Sequence, residues 1–159
     1  MRKNIKLRVK NLVNKYQTAD PFALAKELDV NILYVPLPEK IRGILVRVLR
    51  KKTILLNDKL NYEAQKIVIC HELGHVRMHW HAGYFFQHEG IYYSPARYEC
   101  EANEFAIHLL NYSSDFIYDK DYILEVLAKE NPNPYEVHKI IKPFDENGNL
   151  FWKIRAAGG

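Results

Sequence analysis

The chain has 159 residues, of which 48% are hydrophobic and 26% are charged, as is usual for a globular protein. This length predicts one domain over residues 1–159, large enough to bury a core. No apolar run approaches the ~20 residues of a membrane span, and the basic start is not followed by the apolar core of a signal peptide. We therefore expect a cytoplasmic protein with no membrane partner.

The net charge of +4 is unevenly distributed along the chain. Residues 1–59 carry 14 Lys and Arg against 5 Asp and Glu, whereas residues 60–159 carry 9 against 14. A basic half can contact nucleic acid or an acidic partner. However, no helix-turn-helix or zinc-finger spacing accompanies it. We interpret the excess as a solvated helix face and a charged hairpin tip, and we expect no direct nucleic-acid binding.

The first elements in chain order are two helices. Apolar residues recur at helical spacing in residues 3–17, which predicts an amphipathic helix. Asp20 followed by Pro21 is typical of an N-cap and a first helical position. A short second helix is therefore predicted from this point through Leu28.

A small sheet is predicted next. The β-rich runs are Val30–Val35, Ile44–Leu49 and Thr53–Asn57, with a basic turn at residues 50–52 between the last two. Because a short turn joins antiparallel strands, we expect a three-stranded, partly antiparallel sheet.

The rest of the chain is predicted to be mainly helical. A long helix is expected from Asn61 to about Trp80, then a loop over residues 83–93 that is rich in aromatic residues and His. The remaining expected elements are a helix from Ser94-Pro95 to Leu110, short helices over residues 119–130 and 134–142, and a hairpin through Phe151–Ile154.

The long helix contains an H-E-x-x-H motif with His71, Glu72 and His75 at its fixed positions. The two histidines are one helical turn apart, so both imidazoles can reach one metal ion from the same face. Glu72 lies about one quarter-turn round the helix, within reach of a water bound to that ion. A catalytic zinc site needs a third protein ligand and keeps a fourth position for water.

One candidate for the third ligand is His81. It follows His71 by ten residues, as in the longer pattern H-E-x-x-H-x-x-G-x-x-H. That pattern has a glycine where the chain leaves the helix, and this sequence has Met78 there.

The other candidate is a carboxylate on the helix that follows. Glu99 shares a face with Ala102 and Ala106, and small residues beneath an acid allow one helix to approach another closely. Glu101 lies on a different face. Glu99 is therefore the first candidate, Glu101 the second and His81 the third.

Several neighbouring residues have supporting roles in this interpretation. His79 is interpreted as a cation near the carboxyl end of its helix, where the helix dipole favours positive charge. Gly74 is expected to allow a second helix to approach, and Asn103, one turn after Glu99, can orient a ligand. Peptide hydrolysis also needs a donor for the oxyanion. Candidates in the loop between the two helices are His88, Tyr92 and Tyr93.

The two helices together resemble the ImmA/IrrE family of metallo-endopeptidases. The resemblance rests on His71-Glu72-Leu73-Gly74-His75, followed by Glu99-x-x-Ala102-Asn103-x-Phe105-Ala106, and covers roughly residues 18–112. It implies an α+β fold with a helical zincin-like metalloprotease core. It also implies one catalytic Zn²⁺ held by His71, His75 and Glu99, with Glu72 as the base.

The resemblance further implies a function. Members of that family typically act on helix-turn-helix repressors of prophages, mobile elements or stress regulons. We therefore expect a zinc endopeptidase with such a repressor as its protein substrate. The alternative is a non-catalytic anti-repressor of the same fold that binds and sequesters the regulator. A purely structural zinc domain is disfavoured, because structural zinc is normally closed by four ligands.

Overall fold

Helices and one small sheet make up the part of the chain that the computed structural model describes, namely residues 3–48, 50–82, 96–112, 118–128 and 139–140. The elements in chain order are α1 (Ile5–Tyr16), α2 (Pro21–Glu27), β1 (Asn31–Val35), β2 (Gly43–Val48), β3 (Lys51–Asn57), α3 (Tyr62–Met78), α4 (Ala96–Leu110) and α5 (Lys120–Leu127). A single 3-10 turn, Trp80–Ala82, follows α3. The predicted α+β class is confirmed.

Local side-chain contacts fix where the helices of the motif region begin. The carboxylate of Asp20 accepts a hydrogen bond from the backbone N–H of Ala23, at 3.2 Å, and starts α2. The side chain of Asn61 accepts one from the N–H of Ala64, at 2.8 Å, and starts α3. Each N-cap satisfies a backbone donor that the first turn leaves unpaired. Both starts agree with the sequence prediction.

The sheet is mixed, with strand order β1-β3-β2. β1 runs parallel to β3, and β2 runs antiparallel to it. The predicted three-stranded, partly antiparallel sheet is therefore confirmed, with β3 in the middle. All five residues from Thr53 to Asn57 in this central strand are buried.

The predicted turn at residues 50–52 is wrong in its extent. Lys51 pairs with Val48 and Lys52 pairs with Arg47, so both lysines belong to β3. Arg50 has φ 65°, in the left-handed region that tight hairpin turns use. The strands continue further than their charges suggest because ladder pairing, rather than side-chain polarity, sets where a hairpin closes.

The core lies between the sheet and the helices, and α3 runs through it. Ile54 and Leu56 of β3 face the main core, together with Ile67 and Leu73 of α3. A smaller apolar cluster, which includes Leu55, covers the other face of the sheet. The buried residues of α3 run without a break over positions 67–76. The motif helix is therefore the central helix of the fold rather than a half-exposed one.

The basic residues of the amino-terminal half lie mainly in solvent. On α1, Lys6, Arg8 and Lys10 are exposed, as are Arg50 and Lys51 at the hairpin. This agrees with a solvated helix face and a charged hairpin tip.

Some predicted elements lie outside the described residues: the loop over residues 83–93, most of the helix over residues 134–142, and the hairpin through Phe151–Ile154. Among the helices that are described, none combines the length and the apolar character needed to span a bilayer.

Candidate metal centre

Helix α3 brings two imidazoles together in the core. His71 and His75 are fully buried, and their Nε2 atoms lie 3.1 Å apart. The rings meet edge to face, with centroids 4.7 Å apart. The helical spacing predicted from sequence thus aims both Nε2 atoms at one point.

Helix α4 packs closely enough on α3 to add a carboxylate. A Cβ atom built on Gly74 would lie 3.0 Å from Cβ of Phe105 and 3.2 Å from Cα of Ala102. Both distances are tighter than ordinary van der Waals contact, so only glycine fits without a shift of α4. The close helix approach expected from Gly74 is confirmed. It carries Glu99, one turn before Ala102, to the histidine pair.

Three ligand atoms meet where the helices cross. Oε2 of Glu99 lies 3.0 Å from Nε2 of His71, and Oε1 of Glu99 lies 3.5 Å from Nε2 of His75. A tetrahedral ion with bonds of 2.0–2.2 Å places its ligand atoms about 3.3–3.6 Å apart. One ligand atom from each residue lies within 4.8 Å of the others, and within the described ranges no other group of His, Cys, Asp and Glu converges in this way. These residues fit a metal ion.

Burial keeps the imidazole of His75 in the state that binds metal. Burial lowers the pKa of His75 to about 4 and outweighs the hydrogen bond with Glu99, which acts in the opposite direction. His75 is therefore neutral at pH 7, with a lone pair available to an ion. Nδ1 of His71 is buried and meets no hydrogen-bond partner among the residues described here.

Glu72 lies beside the ligand group on the same helix. Glu72 directly follows His71 and is 1% exposed, so its carboxylate is buried. It lies close enough to His75 to raise the pKa of that imidazole electrostatically. A carboxylate fixed beside a bound metal ion can take a proton from a water molecule there.

The two other predicted candidates for the third ligand lie outside the group. His81 is exposed in the 3-10 turn after α3. Glu101 points away from the histidine pair, because two residues along a helix rotate a side chain by more than half a turn. Its Oε1 atom instead contacts Nε2 of His79 at 2.8 Å and Nζ of Lys3 at 3.1 Å.

The interpretation of His79 as a cation at the helix end is wrong. The side chain is fully buried, and burial lowers the pKa of His79 more than the hydrogen bond with Glu101 raises it. Nδ1 of His79 lies 2.8 Å from Nδ1 of His75. The signal was present in the sequence, since His79 follows His75 by one helical turn and an acid is available on α4.

The structure does not test the roles predicted for the remaining residues. His88, Tyr92 and Tyr93 fall outside the described residues. Oδ1 of Asn103 is buried and has no hydrogen-bond partner within the described part of the chain. A role for Asn103 in orienting a ligand stays a prediction.

The sequence is similar to known proteins over the region that builds this centre. Residues 25–139 match the model of peptidase family M78, described as the IrrE N-terminal-like domain. Over 106 residues, 67% of both chains, the sequence is 38% identical to the uncharacterized immunity region protein 2 of Bacillus phage phi105. No solved structure matches the chain significantly.

Proposed function

Because the chain belongs to peptidase family M78, the IrrE N-terminal-like family, we propose that it is a zinc-dependent endopeptidase that cleaves a helix-turn-helix repressor in the cytoplasm. One observation carries the proposal. Ligand atoms of His71, His75 and Glu99 converge at 3.0–3.5 Å, and the buried residue Glu72 directly follows His71 on the same helix.

The donor set supports zinc as the metal. Two neutral imidazole nitrogens and one carboxylate oxygen are the ligands of many catalytic zinc sites, and three protein ligands leave one position open. When bound, zinc acts as a Lewis acid that lowers the pKa of a water molecule toward ~7 and polarises a peptide carbonyl. The residues that would hold it are His71, His75 and Glu99.

Glu72 supplies the proton transfers in this proposal. Its carboxylate accepts a proton from the attacking water and then delivers that proton to the nitrogen of the leaving amine. Because α3 holds this side chain inside the core, the carboxylate does not have to be ordered when the substrate arrives.

A regulator as substrate is supported by the relative from phage phi105. That protein is named for an immunity region. In this proposal the substrate of this chain is a small helix-turn-helix repressor, and a gene for such a repressor beside that of the protease would identify it.

The test is cleavage of that repressor by the zinc-loaded protein. We expect the wild-type protein to cut the repressor at a defined bond, detected by mass spectrometry of the fragments. Glu72→Gln should retain one zinc per chain and lose at least ~100-fold in cleavage rate, because general base catalysis contributes 10²–10⁴-fold. Glu63→Gln, at an exposed position in the first turn of α3, is the matched control and should cut normally.

Two outcomes would contradict the proposal. Cleavage by Glu72→Gln at the wild-type rate would remove Glu72 as the base. Release of the repressor from its operator by Glu72→Gln, with the repressor left intact, would instead favour the sequestering anti-repressor.

A further inference from the structure

Nδ1 of His75, the ring nitrogen that faces away from the ligand group, has a buried hydrogen-bond partner. Nε2 of His75 faces His71 and Glu99, while Nδ1 lies 2.8 Å from Nδ1 of His79. Nε2 of His79 in turn lies 2.8 Å from Oε1 of Glu101. A carboxylate, an imidazole and a second imidazole thus form a continuous chain that ends at the ligand group.

Coordination of a metal ion by Nε2 of His75 would fix the position of the proton in each of these two hydrogen bonds. An imidazole that binds through Nε2 uses that lone pair, so a neutral His75 carries its proton on Nδ1. Nδ1 of His79 must then accept that hydrogen bond, which places the proton of neutral His79 on Nε2. That proton is donated to Oε1 of Glu101, which as a carboxylate is an acceptor only.

Contacts with Tyr98 and Lys3 hold His79 and Glu101 in place. The ring of Tyr98 stacks on His79, with centroids 4.0 Å apart and planes 13° from parallel. Nζ of Lys3 donates to Glu101 at 3.1 Å. Oε1 of Glu101 therefore contacts both His79 and Lys3, so the carboxylate is held from two separate segments of the protein.

We propose that His79 and Glu101 are positioning residues for the metal: through the buried chain Glu101–His79–His75 they fix the tautomer and ring orientation of His75. This inference rests on the proposed metal site. It assigns to Glu101 a role distinct from ligation, and it makes Lys3, which precedes α1, part of the support behind the metal. Partners of this kind typically contribute 10–100-fold to metal affinity.

The test measures zinc affinity rather than activity, by competition with a chromophoric chelator. His79→Leu keeps an apolar side chain against Tyr98 but cannot accept from His75, and we expect its zinc dissociation constant to rise 10–100-fold. Glu101→Leu should weaken zinc binding in the same direction. Glu104→Leu changes another acid of α4, one that lies 3.6 Å from His108 and is 40% exposed, and should leave the constant unchanged.

A second variant at position 79 shows whether His79 acts by positioning His75 or only by packing. The side-chain oxygen of asparagine can occupy a place close to Nδ1 of histidine, so His79→Asn should keep an acceptor for His75 and recover most of the lost affinity. A purely structural role would instead make His79→Asn as weak a zinc binder as His79→Leu, and that result overturns the proposal. Zinc affinity of His79→Leu within twofold of wild type overturns it as well.

A spectroscopic readout tests the proton arrangement directly. The protonated ring nitrogens can be identified by NMR of zinc-loaded protein labelled with ¹⁵N on histidine. The inference requires a proton on Nδ1 of His75 and on Nε2 of His79. A proton on Nδ1 of His79 alone, with Nε2 bare, contradicts the inference. His71→Ala distinguishes the two proposals: if it binds zinc as well as wild type does, the metal site itself is wrong, whereas failure of the His79 tests alone leaves that site standing.

Discussion

Three histidines and one glutamate, of which three lie in α3 and His79 lies at its C-cap, are almost completely removed from solvent. His71, His75 and His79 are 0% exposed and Glu72 is 1% exposed. Burying such groups costs free energy unless each is neutral, hydrogen-bonded or bound to an ion. His75 and His79 meet this condition as neutral imidazoles with close partners. At the scale of single residues, then, the helix carries polar groups that a metal ion and its neighbours would satisfy.

The choice between Glu99 and Glu101 as the third ligand is a prediction at this scale. We expect Glu99→Ala to lose zinc during dialysis against a mild chelator, because a carboxylate oxygen of Glu99 lies 3.0 Å from Nε2 of His71. Glu101→Ala should weaken zinc binding by a smaller factor, since Glu101 acts through His79. Zinc per chain is measured by atomic emission. One zinc retained in Glu99→Ala but lost in Glu101→Ala would reverse the assignment.

The two thiols should differ sharply in reactivity. Cys70 is buried, and burial raises the pKa of its thiol far above the ordinary value, whereas Cys100 is exposed. Because the thiolate is the reactive form, we expect one fast thiol per native chain in a reaction with a chromogenic disulfide, and two after denaturation. Cys100→Ser should show none in the native state. Rapid reaction of both thiols in the native wild type would contradict the burial of Cys70.

The crossing of α3 and α4 is the decisive contact at the scale of elements. Gly74 on α3 lies against Ala102 and Phe105 on α4, and this approach brings Glu99 to the histidines. The sequence indicated the contact face of each helix: the small residues mark it on α4, and Gly74 marks it on α3. A glycine inside a helix costs about 1 kcal/mol relative to alanine, so its presence here is explained by packing rather than by helix propensity.

Gly74→Ala tests this crossing. The added methyl group would meet Cβ of Phe105 at 3.0 Å and the backbone of Ala102 at 3.2 Å, so α4 has to move outward. Overpacking costs about 1–3 kcal/mol and the better helix propensity returns about 1 kcal/mol. We expect the free energy of unfolding of the metal-free protein to fall by roughly 1 kcal/mol, and zinc affinity to fall because Glu99 moves with α4.

Urea unfolding and chelator competition measure the two effects. Arg77→Ala, at an exposed position near the end of the same helix, is the control and should leave zinc affinity unchanged. Gly74→Ala with wild-type stability and wild-type zinc affinity would mean that the crossing has room for the methyl group.

At the scale of the whole molecule, the ligand group lies where α3 and α4 cross. α1 packs on α4, and Lys3 extends this contact to Glu101. α3 packs against the sheet on another side, where a Cβ atom on Gly43 would lie 2.6 Å from Cγ1 of Val68. The metal centre is therefore built on packed elements from several parts of the sequence, and its geometry depends on global folding.

Because folding buries His75 and His79, the stability of the metal-free protein should depend on pH. The pKa of His75 is about 4 in the folded state, against an ordinary value of 6.5, because burial disfavours the charged form. Between these values the unfolded chain binds more protons than the folded one, so folding stability falls as pH falls through that window. The lowered pKa of His79 acts in the same direction.

Urea midpoints of the metal-free protein at pH 7, 6 and 5 measure this dependence. We expect the midpoint to fall with each step, and to fall less steeply in His75→Gln, which has no imidazole to protonate at that position. Equal slopes for the two proteins would show that protonation of His75 does not contribute.

The sequence by itself determined the order of the described helices and strands, the caps of α2 and α3, and the pairing of motif residues along one helix. These features depend on local spacing: His71 and His75 share a face because a helix turns every 3.6 residues, and Asp20 and Asn61 cap helices through contacts three residues away. The sequence also favoured Glu99 over Glu101, since it lies on the face with the small residues. One domain over residues 1–159 stays a prediction.

Only the tertiary structure decided how deeply the motif is buried and what lies behind it. Whether His79 is a solvated cation or a buried neutral partner depends on Tyr98, Glu101 and Lys3, which approach from α4 and from the start of the chain. No local pattern encodes those contacts, because they form between segments up to 98 residues apart. Burial then keeps His75 and His79 neutral, and the position of the single proton on each ring sets which nitrogen can hold a metal ion.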